Sequence, residues 1–401
     1  EDCTTAPASP GGEEPPGAFT LSASAYCNTT PPEAPAVSLT WTTSSGATSY
    51  DAYRDGALYA TGITGTSFDN NANVTAGQTY SYYVVAKNSV GSSQSNTETV
   101  FVPTDVCGGE VSSPFPVIFI HGLETVSGSG YNAWASFGNL LEQNGWTFGG
   151  CPLYDRTLGL VSNLCYSSVS LSKGDFYRMQ FSDNQNLHFD QQGFELAAII
   201  QAVLDANPGK TKVILVGHSM GGLAAREYLQ GLARFDDTSP IIVYRGDVAQ
   251  LVTVGTPHAG ADLAVIALRY PLLLKLLGID PSSVAVEDLQ PDSAAFSVLN
   301  NLLDNPLPTE VLYTSIIGVG TTVIAIKPPQ DGDGIVTASS QDLGGLVGTS
   351  GLLHEAKSIF ILDRSGCDPS FSIPFLPNET HTCETSDEGV WAEVLGDLGA
   401  E

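Results

Sequence analysis

The feature that most restricts how this chain can fold is the run Lys212-Val213-Ile214-Leu215-Val216 followed at once by Gly217-His218-Ser219-Met220-Gly221-Gly222. The first run is short, continuous and rich in β-branched residues, the pattern of a strand buried on both faces of a parallel sheet. Residues 223–234 after it read as a helix. A strand that feeds straight into a helix through Gly-x-Ser-x-Gly holds its serine in a strained backbone conformation, and the turn closes only if the neighbours lack Cβ. Such a turn lifts the hydroxyl above the sheet, and the helix N-terminus lends partial positive charge to an oxyanion forming there. Ser219 is therefore the candidate nucleophile. A glycine-rich helix start without chemistry would leave the agreement of motif and context unexplained.

Around this turn the rhythm is strand, loop, helix. Pro116-Val117-Ile118-Phe119-Ile120 reads as a second buried strand, and residues 251–254, 311–317 and 358–362 as further ones. Residues 192–207 put Phe194, Leu196, Ala197, Ile200, Val203 and Leu204 on one helical stripe, with Asp190 near the start and Asn207-Pro208 as a stop. Residues 388–398 read as a terminal helix with Val390, Trp391, Val394 and Leu395 on one face. Residues 115–401 thus form an α/β domain with a mostly parallel central sheet flanked by helices.

The first hundred residues have another texture. Residues 1–17 are rich in Pro, Gly, Glu and Thr and read as a flexible leader. Residues 18–104 contain short alternating runs, such as Val37-Ser38-Leu39-Thr40-Trp41 and Tyr80-Ser81-Tyr82-Tyr83-Val84-Val85-Ala86, separated by turn signals at Asp55-Gly56, Asp69-Asn70-Asn71 and Ala76-Gly77. That is a small all-β antiparallel sandwich, joined by a linker over residues 105–114. Trp41, the Tyr53-Arg54-Asp55-Gly56 turn, Tyr80 and Ala86-Lys87-Asn88 together resemble an immunoglobulin-like module of the fibronectin type III family. The resemblance implies that Tyr80 forms a tyrosine corner, its hydroxyl tied to upstream backbone. It implies little about function, because such modules serve as spacers, binders or stabilisers.

Composition excludes some partners. Forty-three acidic against fifteen basic residues give a formal charge of -28, which repels phosphate backbones and anionic headgroups, so nucleic acid is not an expected partner. No C-x-x-C pair or Cys/His cluster has zinc spacing, and no metal or cofactor is expected. Of seven cysteines, Cys151 with Cys165 and Cys367 with Cys383 bracket short loops as stapling disulfides do. Cys3, Cys27 and Cys107 are left to share one bridge, with one thiol over. The pattern is that of an exported protein whose signal peptide is absent from this sequence. The longest apolar stretch, residues 264–278, is interrupted by Arg269, Pro271 and Lys275 and is too short to span a bilayer.

His121-Gly122-Leu123 ends the first strand of the α/β domain, and Thr256-Pro257-His258-Ala259-Gly260 follows the helix after Ser219. With the elbow, these segments resemble lipases and carboxylesterases of the α/β-hydrolase fold, the second in particular the T-P-H-x-G loop of bacterial lipases and of the glycosylphosphatidylinositol-deacylase-like branch. The resemblance covers roughly residues 115–398. It implies an oxyanion hole made by the backbone amides of Leu123 and Met220, with His121 a structural hydrogen-bonder. His258 follows the wrong strand to be the catalytic base.

In the order Ser, acid, His that this fold implies, the acid comes from Gln330-Asp331-Gly332-Asp333-Gly334-Ile335-Val336. Asp333 fits better than Asp331, because a glycine and two apolar residues follow it. The rival reading of this loop, a calcium site, lacks further oxygen ligands at regular spacing. For the base there are two candidates. His381 follows the last strand and precedes the terminal helix, which puts it at the carboxyl edge of the sheet, whereas His354 precedes residues 358–362 and falls at the amino edge. His381 is preferred. The structural calcium that bacterial lipases often hold has an Asp two positions after the histidine; here those positions are Ala356 and Cys383, a departure that speaks against it.

The expected activity is hydrolysis of carboxylic esters through an acyl-enzyme on Ser219. Residues 262–278, helical in period and apolar, are a candidate lid or acyl-binding wall, and residues 158–191, too polar for core, a candidate cap. An acyl-ester or lipid substrate, at an interface or in solution, is the implied partner. Competing expectations are a polyester depolymerase, for which the sandwich is a spacer or surface binder, a hydrolase fold that has lost catalysis and serves adhesion, and an amidase or peptidase running on the same three residues. Oligomeric state is not legible.

Overall fold

A computed structural model describes residues 14–30, 34–76, 78–102, 113–124, 128–166, 170–261, 279–323, 329–348, 353–360 and 379–398. The chain divides into two compact units, Glu1–Glu110 and Val111–Glu401. Among the described residues, no helix is long and apolar enough to cross a membrane.

Among its described residues the regular elements of the first unit are all β-strands. Its strands are β1 (Leu21–Asn28), β2 (Ala34–Trp41), β3 (Ser49–Arg54), β4 (Ala57–Ile63), β5 (Ser67–Asn70), β6 (Thr79–Lys87), β7 (Ser92–Gln94) and β8 (Glu98–Phe101). They pair antiparallel in two sheets, β1-β2-β5 and β4-β3-β6-β7, with β8 also on β6. Alternate side chains from both sheets fill one core: Leu21, Val37, Leu39 and Trp41 from the first, Tyr50, Ala52, Tyr82, Val84 and Ala86 from the second. The Thr75 amide donates to the Tyr80 hydroxyl at 2.9 Å, the upstream tie that the sequence resemblance implies. Residues 14–17 belong to this unit rather than to a free leader, since the Gly17 amide donates to Ser45 O at 3.0 Å and Asn88 Nδ2 to Glu14 O at 2.7 Å. Residues 105–112 of the linker and residues 1–13 lie outside the described residues.

The second unit contains β9 (Val117–Ile120), β10 (Phe148–Gly150), β11 (Pro152–Asp155), β12 (Leu160–Asn163), β13 (Phe176–Arg178), β14 (Val213–His218), β15 (Val248–Val254), β16 (Leu312–Val319), β17 (Thr321–Val323), β18 (Gln330–Gly332) and β19 (Leu353–Phe360). Seven form one sheet, in the order β10-β13-β9-β14-β15-β16-β19, and every pairing in it is parallel. The helices are α1 (Ala135–Gln143), α2 (Phe189–Ala206), α3 (Met220–Leu229), α4 (Val284–Asp288), α5 (Ala294–Leu299), α6 (Ala338–Gln341), α7 (Leu343–Val347) and α8 (Glu388–Leu398). Successive strand residues point to opposite faces. Ile118 and Ile120 pack with Leu196, Ile199 and Ala224 of α2 and α3, while Val117 and Phe119 pack with Phe137 of α1 and Val390 and Val394 of α8. Both faces are covered, which is why these strands read as unbroken apolar runs. Each fully buried aliphatic side chain contributes about 1.5–3 kcal/mol of transfer free energy.

Three expectations need correction. Residues 158–191 are not all cap: they include β13, whose Phe176 and Tyr177 are fully buried inside the central sheet. Three residues between polar runs are too short for periodicity to register. The helix after Ser219 starts at Met220 and ends at Leu229, not 234. Gly231 stops it with φ +69°, in the left-handed region, and the Leu232 amide donates back to Glu227 O at 2.9 Å. The last strand begins at Leu353 rather than 358, so His354 lies within it, opposite Tyr313 of β16. β19 is the edge of the sheet, where polar residues such as Glu355 and Lys357 are tolerated and the apolar signal fades. Residues 262–278, the other lid candidate, lie outside the described residues.

Cys151 and Cys165 form a disulfide with Cα atoms 5.2 Å apart, closing the β11–β12 hairpin. Cys27 and Cys383 are also disulfide-bonded; Cys3, Cys107 and Cys367 lie outside the described residues. The Cys151–Cys165 loop has a sequence separation of 14. Constraint of the unfolded chain by a loop of that size is worth about 3 kcal/mol. Replacing both cysteines by serine is therefore expected to lower the stability of this unit by about 3 kcal/mol in denaturant titration; an unchanged midpoint would contradict that.

Candidate active site

Parallel strands bring their carboxyl ends to one edge of the sheet, where the connecting loops gather. β9 delivers His121 and Gly122 there, β14 delivers Ser219, β15 delivers Gly255, and the β17–β18 hairpin after β16 delivers Asp333. Ser219 has φ 52° and ψ −128°, a conformation costly for a residue with Cβ. Its amide donates to Val254 O at 2.8 Å, which ties the strained turn to the end of β15, and α3 starts at the next residue.

The structure brings Ser219, His381 and Asp333 together. Ser219 Oγ lies 2.9 Å from His381 Nε2, and His381 Nδ1 lies 2.8 Å from Asp333 Oδ2. A carboxylate facing Nδ1 requires N–H there, which leaves Nε2 of the neutral ring free to accept the serine proton. Asp333 is fully buried and every side of its carboxylate is engaged: Oδ1 accepts the amides of Ile335 and Val336 at 2.8 and 2.7 Å, and Oδ2 also accepts Gln341 Nε2 at 3.0 Å. The His381 backbone is held as well, because the amides of Thr380 and His381 donate to Asp333 O at 2.8 and 3.3 Å. Burial pulls the His381 pKa down, but the charge of Asp333 and its hydrogen bond outweigh that, and the net value is raised to about 9.

The other candidates lie elsewhere. His354 Nε2 accepts the Gly344 amide at 2.9 Å and lies 3.3 Å from Asp342 Oδ1, at the amino end of β19. Asp331 is exposed, and its carboxylate accepts the Gly320 amide at 2.9 Å. His258 is buried, with Nε2 3.2 Å from Thr253 Oγ1. His121 Nε2 accepts the Phe181 amide at 3.1 Å and Nδ1 donates to Gly122 O at 2.8 Å, the bonding of a neutral structural imidazole. Burial lowers its pKa accordingly.

The amides of Leu123 and Met220 find no acceptor among the described residues. They flank the nucleophile closely: a Cβ on Gly122 would lie 2.8 Å from Ser219 Cβ and 3.3 Å from its Oγ. Only glycine permits this approach of the loop after β9 to the elbow.

Some participants escaped sequence reasoning. Glu384 is buried one helical turn beyond His381, with Oε2 3.5 Å from His381 Nδ1 and 3.2 Å from His218 Nε2. Burial, with Asp333 nearby, pushes its pKa well above the usual carboxylate range. Burial beside His381 keeps His218 neutral, and its Nε2–H donates to His381 O at 3.1 Å. The spacing of three between His381 and Glu384 is the one signal that could have found the pair. Among the described residues, His218, His381 and Glu384 are the one group of such side chains close enough to share a metal ion. Both nitrogens of His381 are already engaged by Asp333 and Ser219.

Residues 112–268 match the family described as the PGAP1-like alpha/beta domain. Over 150 residues the chain is 30% identical to a triacylglycerol lipase of Pseudarthrobacter phenanthrenivorans, a match covering 37% of this chain and 35% of that one. It is likewise 30% identical to a triacylglycerol lipase of Burkholderia plantarii, over 37% of this chain and 31% of the lipase. The matches thus span about a third of these relatives' length. Among solved structures, the mature form of a Bacillus licheniformis lipase has a TM-score of 0.40 at 19% identity, covering 71% of this chain and 94% of that chain. Lipase 1 of Pelosinus fermentans has a TM-score of 0.39 at 13% identity, covering 72% of this chain and 99% of that chain.

Proposed function

We propose that this protein is a secreted serine esterase or lipase that hydrolyses carboxylic esters through an acyl-enzyme on Ser219. The observation that carries the reading is the unbroken line from Ser219 Oγ through His381 to Asp333, at 2.9 and 2.8 Å. His381 takes the Ser219 proton as Oγ attacks the ester carbonyl, then gives it to the departing alcohol; water enters by the reverse path and frees the acid. Asp333 orients the ring and stabilises the imidazolium. The amides of Leu123 and Met220, with the α3 N-terminus behind the latter, receive the negative charge of the tetrahedral intermediate.

An acyl substrate is supported by the apolar surroundings. Met220, Ile335, Leu289 and Phe296 belong to one apolar cluster against which Leu123 packs; Met220 follows Ser219 directly and Ile335 is two residues after Asp333. The similarity to triacylglycerol lipases over 150 residues points the same way. Export is supported by the disulfide-bonded state of Cys27, Cys151, Cys165 and Cys383. The first unit is read as a fibronectin type III-like module on its antiparallel sheets and the Tyr80 tie.

Hydrolysis of p-nitrophenyl esters from butyrate to palmitate, run beside triglyceride emulsions and polyester films, tests this reading. Turnover of soluble esters or emulsions is expected. Turnover of films alone would indicate a depolymerase, and an inert protein would overturn the enzymatic reading.

A further inference from the structure

The loop after β13 reaches across to the loop after β9 and grips it around Leu123. Asn184 Nδ2 donates to Gly122 O at 2.6 Å, and Asn184 Oδ1 accepts the Glu124 amide at 3.3 Å. One carboxamide therefore holds the polar groups on either side of Leu123, sharing Gly122 O with His121 Nδ1, which donates to it at 2.8 Å. The Gly122–Leu123 peptide is planar and trans, so a carbonyl held toward Asn184 sends the Leu123 N–H the opposite way. Asn184 is itself fixed: it is 1% exposed, and its carbonyl accepts Gln192 Nε2 of α2 at 3.2 Å.

The rest of the loop is braced in the same manner. Glu124 is buried, and its carboxylate accepts the Gly130 and Gly128 amides at 2.6 and 3.1 Å together with Gln180 Nε2. Its backbone carbonyl accepts Gln185 Nε2 at 2.7 Å. Gln180 and Gln185 come from the segment immediately after β13, while Gly128 and Gly130 belong to the loop after β9 itself; together they are a polar set inside the fold that the catalytic line does not use. A buried, fully bonded polar network fixes one arrangement where an apolar contact would tolerate several.

We propose that Asn184 is a positioning residue for ester hydrolysis, which holds the Gly122–Leu123 peptide in the orientation that aims the Leu123 amide at the oxyanion. The inference rests on the proposed role of Leu123 as an oxyanion donor. An oxyanion donor acts on the transition state and not on the bound substrate, so loss of its aim lowers kcat and spares KM.

The test compares Asn184→Ala and Asn184→Leu with the wild type on p-nitrophenyl butyrate. The second variant keeps the branched shape and the number of heavy atoms while removing both hydrogen bonds, so a shape-only role leaves it close to wild type. The expected result is a kcat lower by about 10²-fold in each variant, the loss typical of an oxyanion donor. KM should stay within about twofold, and the pH inflection of kcat/KM should not move, since His381 and Asp333 are untouched. Should either variant fold, as judged by its melting temperature, and retain kcat within about twofold, the inference is overturned. It is equally overturned if the loss appears in KM or as a displaced pH inflection. If the wild type does not hydrolyse esters at all, the functional reading fails rather than this assignment alone.

Discussion

Replacing Ser219 by alanine is expected to lower kcat/KM for p-nitrophenyl esters by about 10⁴- to 10⁶-fold while leaving the melting temperature essentially unchanged. The size follows from the arrangement: Oγ is the atom that His381 Nε2 faces at 2.9 Å, and no acyl-enzyme forms without it. The neutrality toward stability follows from the backbone. The positive φ of 52° at Ser219 is equally strained for alanine, and the amide bond to Val254 O survives the substitution. Catalysis and folding are thereby separated in a single variant. A large fall in melting temperature alongside the lost activity would indicate a structural serine instead.

The second large effect concerns protons. Burial works against the charged form of His381, yet Asp333 holds its pKa at about 9 against an ordinary value of 6.5. The neutral ring is the base, so kcat/KM is expected to rise with pH through about 9 and level off above it. Stability runs the other way. A folded pKa raised above the unfolded value gives stabilisation that is fully present below 6.5 and lost as pH rises through about 9. Glu384, whose pKa burial raises, loses its contribution in the same direction. Between those limits the protein should gain activity as it loses melting temperature.

Asp333→Asn removes the charge that raises the His381 pKa. It also turns an amide toward neighbours that are all donors: the Ile335 and Val336 amides, Gln341 Nε2 and His381 Nδ1–H. The wrong imidazole tautomer follows, with a kcat lower by about 10⁴-fold and the residual pH inflection shifted to lower pH. A full kcat/KM profile of wild type and Asp333→Asn checks this; an inflection that stays in place would contradict the pairing.

What was legible in the sequence was whatever a local pattern dictates. The β-branched run before Gly217 announced β14, and the glycine and apolar pair after Asp333 distinguished it from Asp331. His381 was preferred over His354 on strand order, and the structure brings His381, not His354, to Ser219. The misplaced bounds of β19 did not disturb that reasoning, because His354 still falls at the amino end of the sheet. Short core strands without an apolar run, such as β13, left no periodic signal. Nor did the polar partners: Asn184 lies 62 residues from Gly122, and Gln341 serves Asp333 from another turn of chain. Such pairings are set by topology, which brings loops from different strands to one edge, and not by any spacing along the chain.

The most direct measurement is covalent labelling with a fluorophosphonate, followed by peptide mass spectrometry. One label per chain is expected on the peptide containing Ser219, abolished in Ser219→Ala and greatly slowed in His381→Ala. A native protein that takes no label, or takes it on a serine outside the Gly217–Gly222 turn, would contradict the claim that Ser219 is an activated nucleophile.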